Sequence, residues 1–237
     1  MNTNSNTYVM GFAVTMCVAV SATLATIATA LRPAQEAAAE FDRQKNVMMA
    51  AGLIESGDPR TREELEALFQ ARVTEVTVDT QSGAAVAGSA EEVAAKRKED
   101  PLRYRVVGTS KDDAGAVDTI ILPVSGKGLW STIYGYIALE SDKDHVRGIT
   151  FYKHGETPGL GGEVENPQWT AQWVGKSIRR ADGGIGVIVK KGQVDEGVQK
   201  EKDHYVDGLA GATITSNGVT KFVERDLRSF EAYLSKN

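Results

Sequence analysis

The stretch Asp207–Val219, DGLAGATITSNGV, sets one threonine hydroxyl among small residues close to the C-terminus. Ala210, Gly211 and Ala212 let backbone approach a bulky group. Thr213 follows, and Thr215, Ser216 and Asn217 are residue types that cap helix N-termini. From Val219 the apolar residues Val219, Phe222, Val223, Leu227, Phe230 and Leu234 recur at helical spacing. The pattern predicts a helix opening near Thr215–Asn217, with Thr213 on a tight loop just before it. Free N–H groups and the positive end of the helix dipole make such a place suit a phosphate. Two chemistries follow for the Thr213 hydroxyl, a phosphate ester or a simple helix cap, and these residues alone leave both open.

Other candidate motifs fail their own requirements. Ser125-Gly126-Lys127-Gly128 lacks the earlier glycine of a Walker A loop, where Ile121 stands, and Lys127 is followed by Gly and not Ser or Thr. Gly159-Leu160-Gly161-Gly162 has Val164 in place of the third glycine of a dinucleotide fingerprint. Its glycines shape either a loop for close approach of a flat ligand or a turn between strand and helix. Cys17 is the only cysteine, which excludes an intrachain disulfide and an iron–sulfur cluster built from this chain. His145, His154 and His204 show no metal-ligand spacing, and no Ser/His/Asp nucleophile motif is present. A net charge of −5 argues against nucleic acid as a partner.

The elements that must position these residues begin with an apolar run. Tyr8–Leu31 has no charged side chain; as a helix it spans about 36 Å, enough for a bilayer core of ~30 Å. Met1–Thr7 lacks the basic start of a signal peptide, although Ala28-Thr29-Ala30 resembles a cleavage site, so a retained membrane anchor is expected. Arg32, Arg43 and Lys45 follow the span, and positive-inside reasoning places the large domain in the cytoplasm. The expected division is a tail at 1–7, a transmembrane helix at 8–31, a connecting helix or linker at 32–60 and a domain at 61–237. Thr61 and Glu64 fit a capping box before Leu65, Leu68 and Phe69. Val73–Val78, Leu102–Val107, Val117–Val124, Val146–Tyr152 and Ile185–Val189 read as strands, Gln81–Asp100 as a surface insertion or short helix, and Asn166-Pro167 as a helix start. Without regular alternation of strand and helix, the expected class is α+β, a twisted, largely antiparallel sheet with packed helices.

Asp207 to Thr213 matches the motif Asp-x-x-(Ser/Thr/Ala)-Gly-Ala-Thr and so resembles the flavinylation site of covalent FMN proteins. Ser125–Glu140, His154–Lys176 and Val206–Val219, with the N-terminal apolar segment, resemble in order the C-subunit family (NqrC) of sodium-translocating NADH:quinone oxidoreductases. The G subunit of the Rnf electron-transport complex shares the threonine motif; the GETPGLGGE block with Trp169 and Trp173 favours the first family. The resemblance implies an FMN-binding domain with FMN joined to Thr213 through a phosphoester, beside Ala212. It implies an electron-transfer subunit of a bacterial inner-membrane complex that oxidises NADH, reduces quinone and exports sodium, with a single-pass anchor and a periplasmic domain. Other subunits and a flavin transferase are the implied partners, the transferase reading Asp207 and Gly211. A competing reading is an anchored binding or scaffold domain without cofactor.

A flavin requires faces for its ring, donors for its phosphate and charge near its reduced edge. Trp130 and Leu160 are the candidate ring faces, with Gly159 in the loop between; Glu156 and Thr157 are candidates for the ring edge. Lys191 offers positive charge, and Thr215 and Ser216 offer phosphate donors. Plainer readings stand beside each. Trp130 can be core, Glu156 and Thr157 can cap the Gly-rich turn, Lys191 can be a solvated lysine, and Asp207 can form an Asx turn with Gly208. Trp169 and Trp173, four apart, are assigned to packing.

Overall fold

The computed structural model describes residues 5–112 and 114–236. Residues 1–4 of the expected tail lie outside it. The chain divides into two compact units, Met1–Asp42 and Arg43–Asn237. The first is the apolar part of a helix, α1 (Asn6–Ala50), which runs on through the expected boundary at residue 31 and through Pro33. By length and composition α1 can cross a membrane, and its apolar window buries nothing within the protein. Threonines at 15, 23, 26 and 29 each donate their hydroxyl to the carbonyl four residues earlier, so these polar groups are satisfied within the helix itself.

The second unit is built on a six-stranded antiparallel sheet of order β2-β1-β3-β4-β5-β6. Its strands are β1 (Val73–Asp79), β2 (Ala84–Ala85), β3 (Tyr104–Lys111), β4 (Val117–Lys127), β5 (Thr132–Glu140) and β6 (Val146–Lys153). The unbroken apolar run Ile120-Ile121-Leu122 is buried throughout, because β4 sits centrally with both faces covered. Pro123 is tolerated in this strand because pairing with β3 runs only as far as Gly108 opposite Ile121. The end of α1 lies against β6: Thr150 donates to the Asn46 carbonyl at 3.1 Å.

Helix α2 (Arg62–Arg72) opens on the expected capping box, with Glu64 N–H on Thr61 Oγ1 at 3.3 Å and Thr61 N–H on Glu64 Oε2 at 2.7 Å. Helix α3 (Ala90–Glu99) buries no residue, in keeping with a surface insertion. The helix expected at Asn166-Pro167 is shorter than its pattern suggests. α4 (Pro167–Thr170) tightens into a 3-10 turn at Ala171–Trp173. Trp169 and Trp173 are both buried and meet edge to face with centroids 5.6 Å apart, as the packing assignment requires. Of the expected strand Ile185–Val189, Ile185 makes an isolated antiparallel bridge with Arg179, and β7 (Ile188–Val189) pairs in parallel with β8 (Tyr205–Val206), which follows the short α5 (Gln199–His204).

The domain closes with α6 (Thr213–Ser229) and α7 (Glu231–Lys236). α6 buries Val219, Phe222, Val223 and Leu227 in the main core beside Leu122, Val124, Ile133 and Phe151. Close approach of α6 to β4 depends on Gly218, where an added Cβ would lie 2.3 Å from the Lys127 carbonyl oxygen. Gly218→Ala is therefore expected to force helix and strand apart and lower stability by about 1–3 kcal/mol, read as a lower denaturant midpoint. An unchanged midpoint would mean that α6 does not pack this tightly.

Candidate functional site

Three segments converge at the N-terminus of α6: the turn Gly128–Ser131 between β4 and β5, the loop Glu156–Gly162 after β6, and the approach Asp207–Ala212. Glu156 ties two of them together. Its side chain is 5% exposed. Oε1 accepts the backbone N–H groups of Trp130 and Ser131, each at 3.0 Å, and Oε2 accepts Leu129 N–H at 3.1 Å and the Thr215 hydroxyl at 2.7 Å. The fit leaves no room for side chains opposite the carboxylate: a Cβ on Gly128 would lie 2.7 Å from Oε1, and one on Gly161 2.8 Å from Oε2. Burial pushes the Glu156 carboxyl up, but the Thr215 hydroxyl and the three loop N–H groups together hold it below its ordinary value.

That lowered value has a consequence for acid stability. A carboxylate bound more tightly as the anion in the native state stabilises the fold above its unfolded pKa, and loses that contribution as pH falls through the native one. The wild-type domain is expected to weaken below about pH 4.3 in part through Glu156. Glu156→Gln should be less stable at neutral pH, and the gap to wild type should narrow in acid. Urea midpoints measured across that range test this; a gap that stays constant with pH would contradict it.

Helix α6 begins at Thr213 itself, earlier than the cap-type residues suggested. Ala212 is the N-cap, with no side-chain cap, and its carbonyl accepts the Ser216 N–H at 2.9 Å. Thr215 and Ser216 do not cap because their hydroxyls are already committed. Thr215, buried, donates to Glu156, and Ser216 Oγ accepts Leu209 N–H at 3.1 Å. Neither hydroxyl therefore faces solvent beside Thr213. Thr213 is exposed, and among the described residues its hydroxyl has no hydrogen-bond partner. The first-turn N–H groups of α6, which lack intrahelical acceptors, are likewise left without a side-chain cap.

The converging segments also carry exposed apolar side chains. Trp130 is 67% exposed, so it is not part of the core, and Leu160 is 43% exposed. Gly211, at φ +71°, brings its backbone so near Leu160 that an added Cβ would meet Cδ2 at 2.9 Å. Sequence reasoning missed two of these, Leu129 at 42% and Ile214 at 60% exposed. Ile214 was detectable as the apolar residue out of phase with the buried stripe of α6. Thr157 and Gly159 are exposed in the loop, where the Thr157 carbonyl accepts the N–H groups of Leu160 and Gly162.

The remaining candidates lie on the segments leading to Asp207–Ala212 and on the Gly192 turn. Lys191 is exposed on the turn after β7, and the neighbouring Gly192 carbonyl accepts Gly208 N–H at 2.8 Å. Asp207 is half-buried and occupied: Oδ1 accepts Val194 N–H at 2.7 Å, Oδ2 accepts Gln172 Nε2 at 3.3 Å, and its carbonyl accepts Trp169 Nε1 at 2.8 Å. It holds the approach to Thr213 against the Lys191–Val194 turn and the tryptophan segment. The Glu156 carboxylate is buried, its oxygens taken by the Leu129, Trp130 and Ser131 N–H groups and the Thr215 hydroxyl.

These surroundings fit a flavin mononucleotide. An exposed hydroxyl and uncapped N–H groups offer partners for a phosphate, and the converging segments carry exposed apolar side chains that a flat ring could cover. The FMN-binding domain family matches residues 128–228, from the Glu156-clamped turn to the last turn of α6. The C subunit of the Na(+)-translocating NADH-quinone reductase of Pseudomonas aeruginosa is 41% identical, over 99% of this chain and 97% of its own length. That of Pasteurella multocida is 37% identical over 86% of this chain and 83% of its own. Among solved structures, Shewanella oneidensis NqrC superposes with a TM-score of 0.70 at 29% identity, covering 84% of this chain and 98% of that one. The structure of the corresponding Parabacteroides distasonis protein gives the same TM-score at 28% identity, covering 87% and 98%.

Proposed function

Because the chain belongs to the NqrC family, the C subunits of Na(+)-translocating NADH-quinone reductases, and carries an FMN-binding domain, we propose that it holds FMN covalently, as a phosphoester of Thr213, and relays electrons within that complex. The observation that carries the covalent reading is the Thr213 hydroxyl itself: exposed, without a hydrogen-bond partner, and at an uncapped helix N-terminus. Near full-length likeness to NqrC proteins favours this reading over a G-type subunit of an Rnf complex.

FMN, when bound, supplies reversible electron uptake and release. The chain's own residues do the rest. The α6 N–H groups and dipole stabilise phosphate charge at Thr213. Trp130 and Leu160, with Leu129 and Ile214, supply apolar surface for the ring, and Lys191 supplies positive charge. Glu156 fixes the Leu129–Ser131 backbone and the first turn of α6 in one arrangement. A covalent tether prevents loss of cofactor from so exposed a site. The other subunits and a flavin transferase are the partners this requires, with Asp207 and Gly211 presenting the approach to the transferase.

The domain lies on the periplasmic side of the bacterial inner membrane in this reading, against the charge bias of Arg32, Arg43 and Lys45. Protein purified from its native host should carry the mass of one FMN less one water, with a yellow colour that survives denaturation. Unmodified mass from that host would contradict the covalent reading. Protease added to intact cells with a permeabilised outer membrane should remove the domain; full protection would place it in the cytoplasm.

A further inference from the structure

Every partner of the buried Glu156 carboxylate is neutral. Three backbone N–H groups and the Thr215 hydroxyl hold it, with Ser131 Oγ at 3.4 Å, and among the described residues no basic side chain bonds it. Such donors stabilise an anion without cancelling its charge. The carboxylate is also bonded to two of the segments that carry the candidate site: it binds the backbone of Trp130, it precedes Thr157, and it accepts from Thr215, two residues from Thr213 in the same helical turn. We propose that Glu156 is a positioning residue that also sets the reduction potential of the bound flavin, its fixed negative charge opposing electron uptake. The inference rests on FMN being attached at Thr213.

The physical argument is Coulombic. An electron entering the ring adds negative charge to a region already holding one, and the low dielectric around a buried carboxylate screens the repulsion weakly. Neutralising the carboxylate removes that repulsion. Removing a donor instead leaves the negative charge less compensated. Two substitutions at one hydrogen bond therefore act on the potential in opposite senses, although both weaken the fold. Glu156→Gln should shift the potential of the bound flavin to a more positive value. Thr215→Val, which keeps the carboxylate and deletes its shortest hydrogen bond, should shift it to a more negative one.

The test uses full-length protein made in a host that attaches the flavin. Mass spectrometry first shows which samples carry FMN, and an equilibrium redox titration followed by flavin absorbance then compares wild type, Glu156→Gln and Thr215→Val. A more positive potential in Glu156→Gln together with a more negative one in Thr215→Val supports the proposal, and the reverse pair overturns it. Shifts of the same sign, or no shift in labelled Glu156→Gln, overturn it while leaving the Thr213 assignment intact. If Glu156→Gln does not fold, a more negative potential in Thr215→Val supports the proposal, and an unchanged or more positive one overturns it. Wild-type protein without flavin overturns the Thr213 assignment and this inference with it.

Discussion

Thr213→Val is expected to give a folded protein with no covalent flavin at all. Valine reproduces the branched shape of threonine and removes only the hydroxyl. That hydroxyl makes no hydrogen bond among the described residues, and the helix N-cap is Ala212, so no structural interaction is lost. Stability should stay within about 0.5 kcal/mol of the unlabelled wild type, as for surface substitutions generally. Were Thr213 a helix cap, the same change would cost roughly 1 kcal/mol. Denaturant midpoint and flavin content measured on one preparation thus separate the two readings, and a labelled Thr213→Val protein would rule out the ester.

Asp226→Ala is expected to do the reverse. The Asp226 carboxylate is 2% exposed. It pairs with Arg105 at 3.1 Å and Arg225 at 2.8 Å, and accepts the Ser125 N–H at 2.8 Å. Arg105 is itself largely buried, with its guanidinium 4.7 Å from the centre of the Phe230 ring and bonded to the Pro123 carbonyl. Removing Asp226 strands that guanidinium without its counterion, a change that typically costs about 3–5 kcal/mol. Against a total on the order of 5–15 kcal/mol, this is a large share of the domain's stability. The residue lies about 20 Å along α6 from Thr213, at a rise of about 1.5 Å per residue. Molecules that remain folded should therefore still carry flavin. A loss below about 1 kcal/mol in urea unfolding would show that Arg105 finds other compensation.

Much of this arrangement was legible in the sequence because it is written in local patterns. Strands β1, β3, β4 and β6 follow from apolar runs, the α2 start from Thr61 and Glu64, and the tryptophan packing from spacing alone. The start of α6 was misjudged because Thr215 and Ser216 look like caps by residue type. Their hydroxyls are in fact taken by Glu156, far away in sequence, and by the Leu209 N–H. The same long-range contact was not visible for Glu156, a ring-edge candidate in the sequence, whose carboxylate bonds the Leu129–Ser131 turn and Thr215. No periodicity records that a glutamate after β6 will bind a turn after β4 and a helix near the C-terminus. The apolar span and the connecting helix, read as separate segments at residue 31, form one continuous helix to Ala50. Trp130 has the exposure that a ring-face candidate needs; of the other exposed apolar residues, Ile214 breaks the phase of the α6 stripe, whereas no pattern marks Leu129.

The most direct test is tandem mass spectrometry of the peptide containing Asp207–Val219, taken from protein made in its native host. The expected spectrum places one FMN-phosphoester modification on Thr213 and leaves Thr215 and Ser216 unmodified. A modification on either of those buried hydroxyls, or an unmodified peptide, would contradict the account.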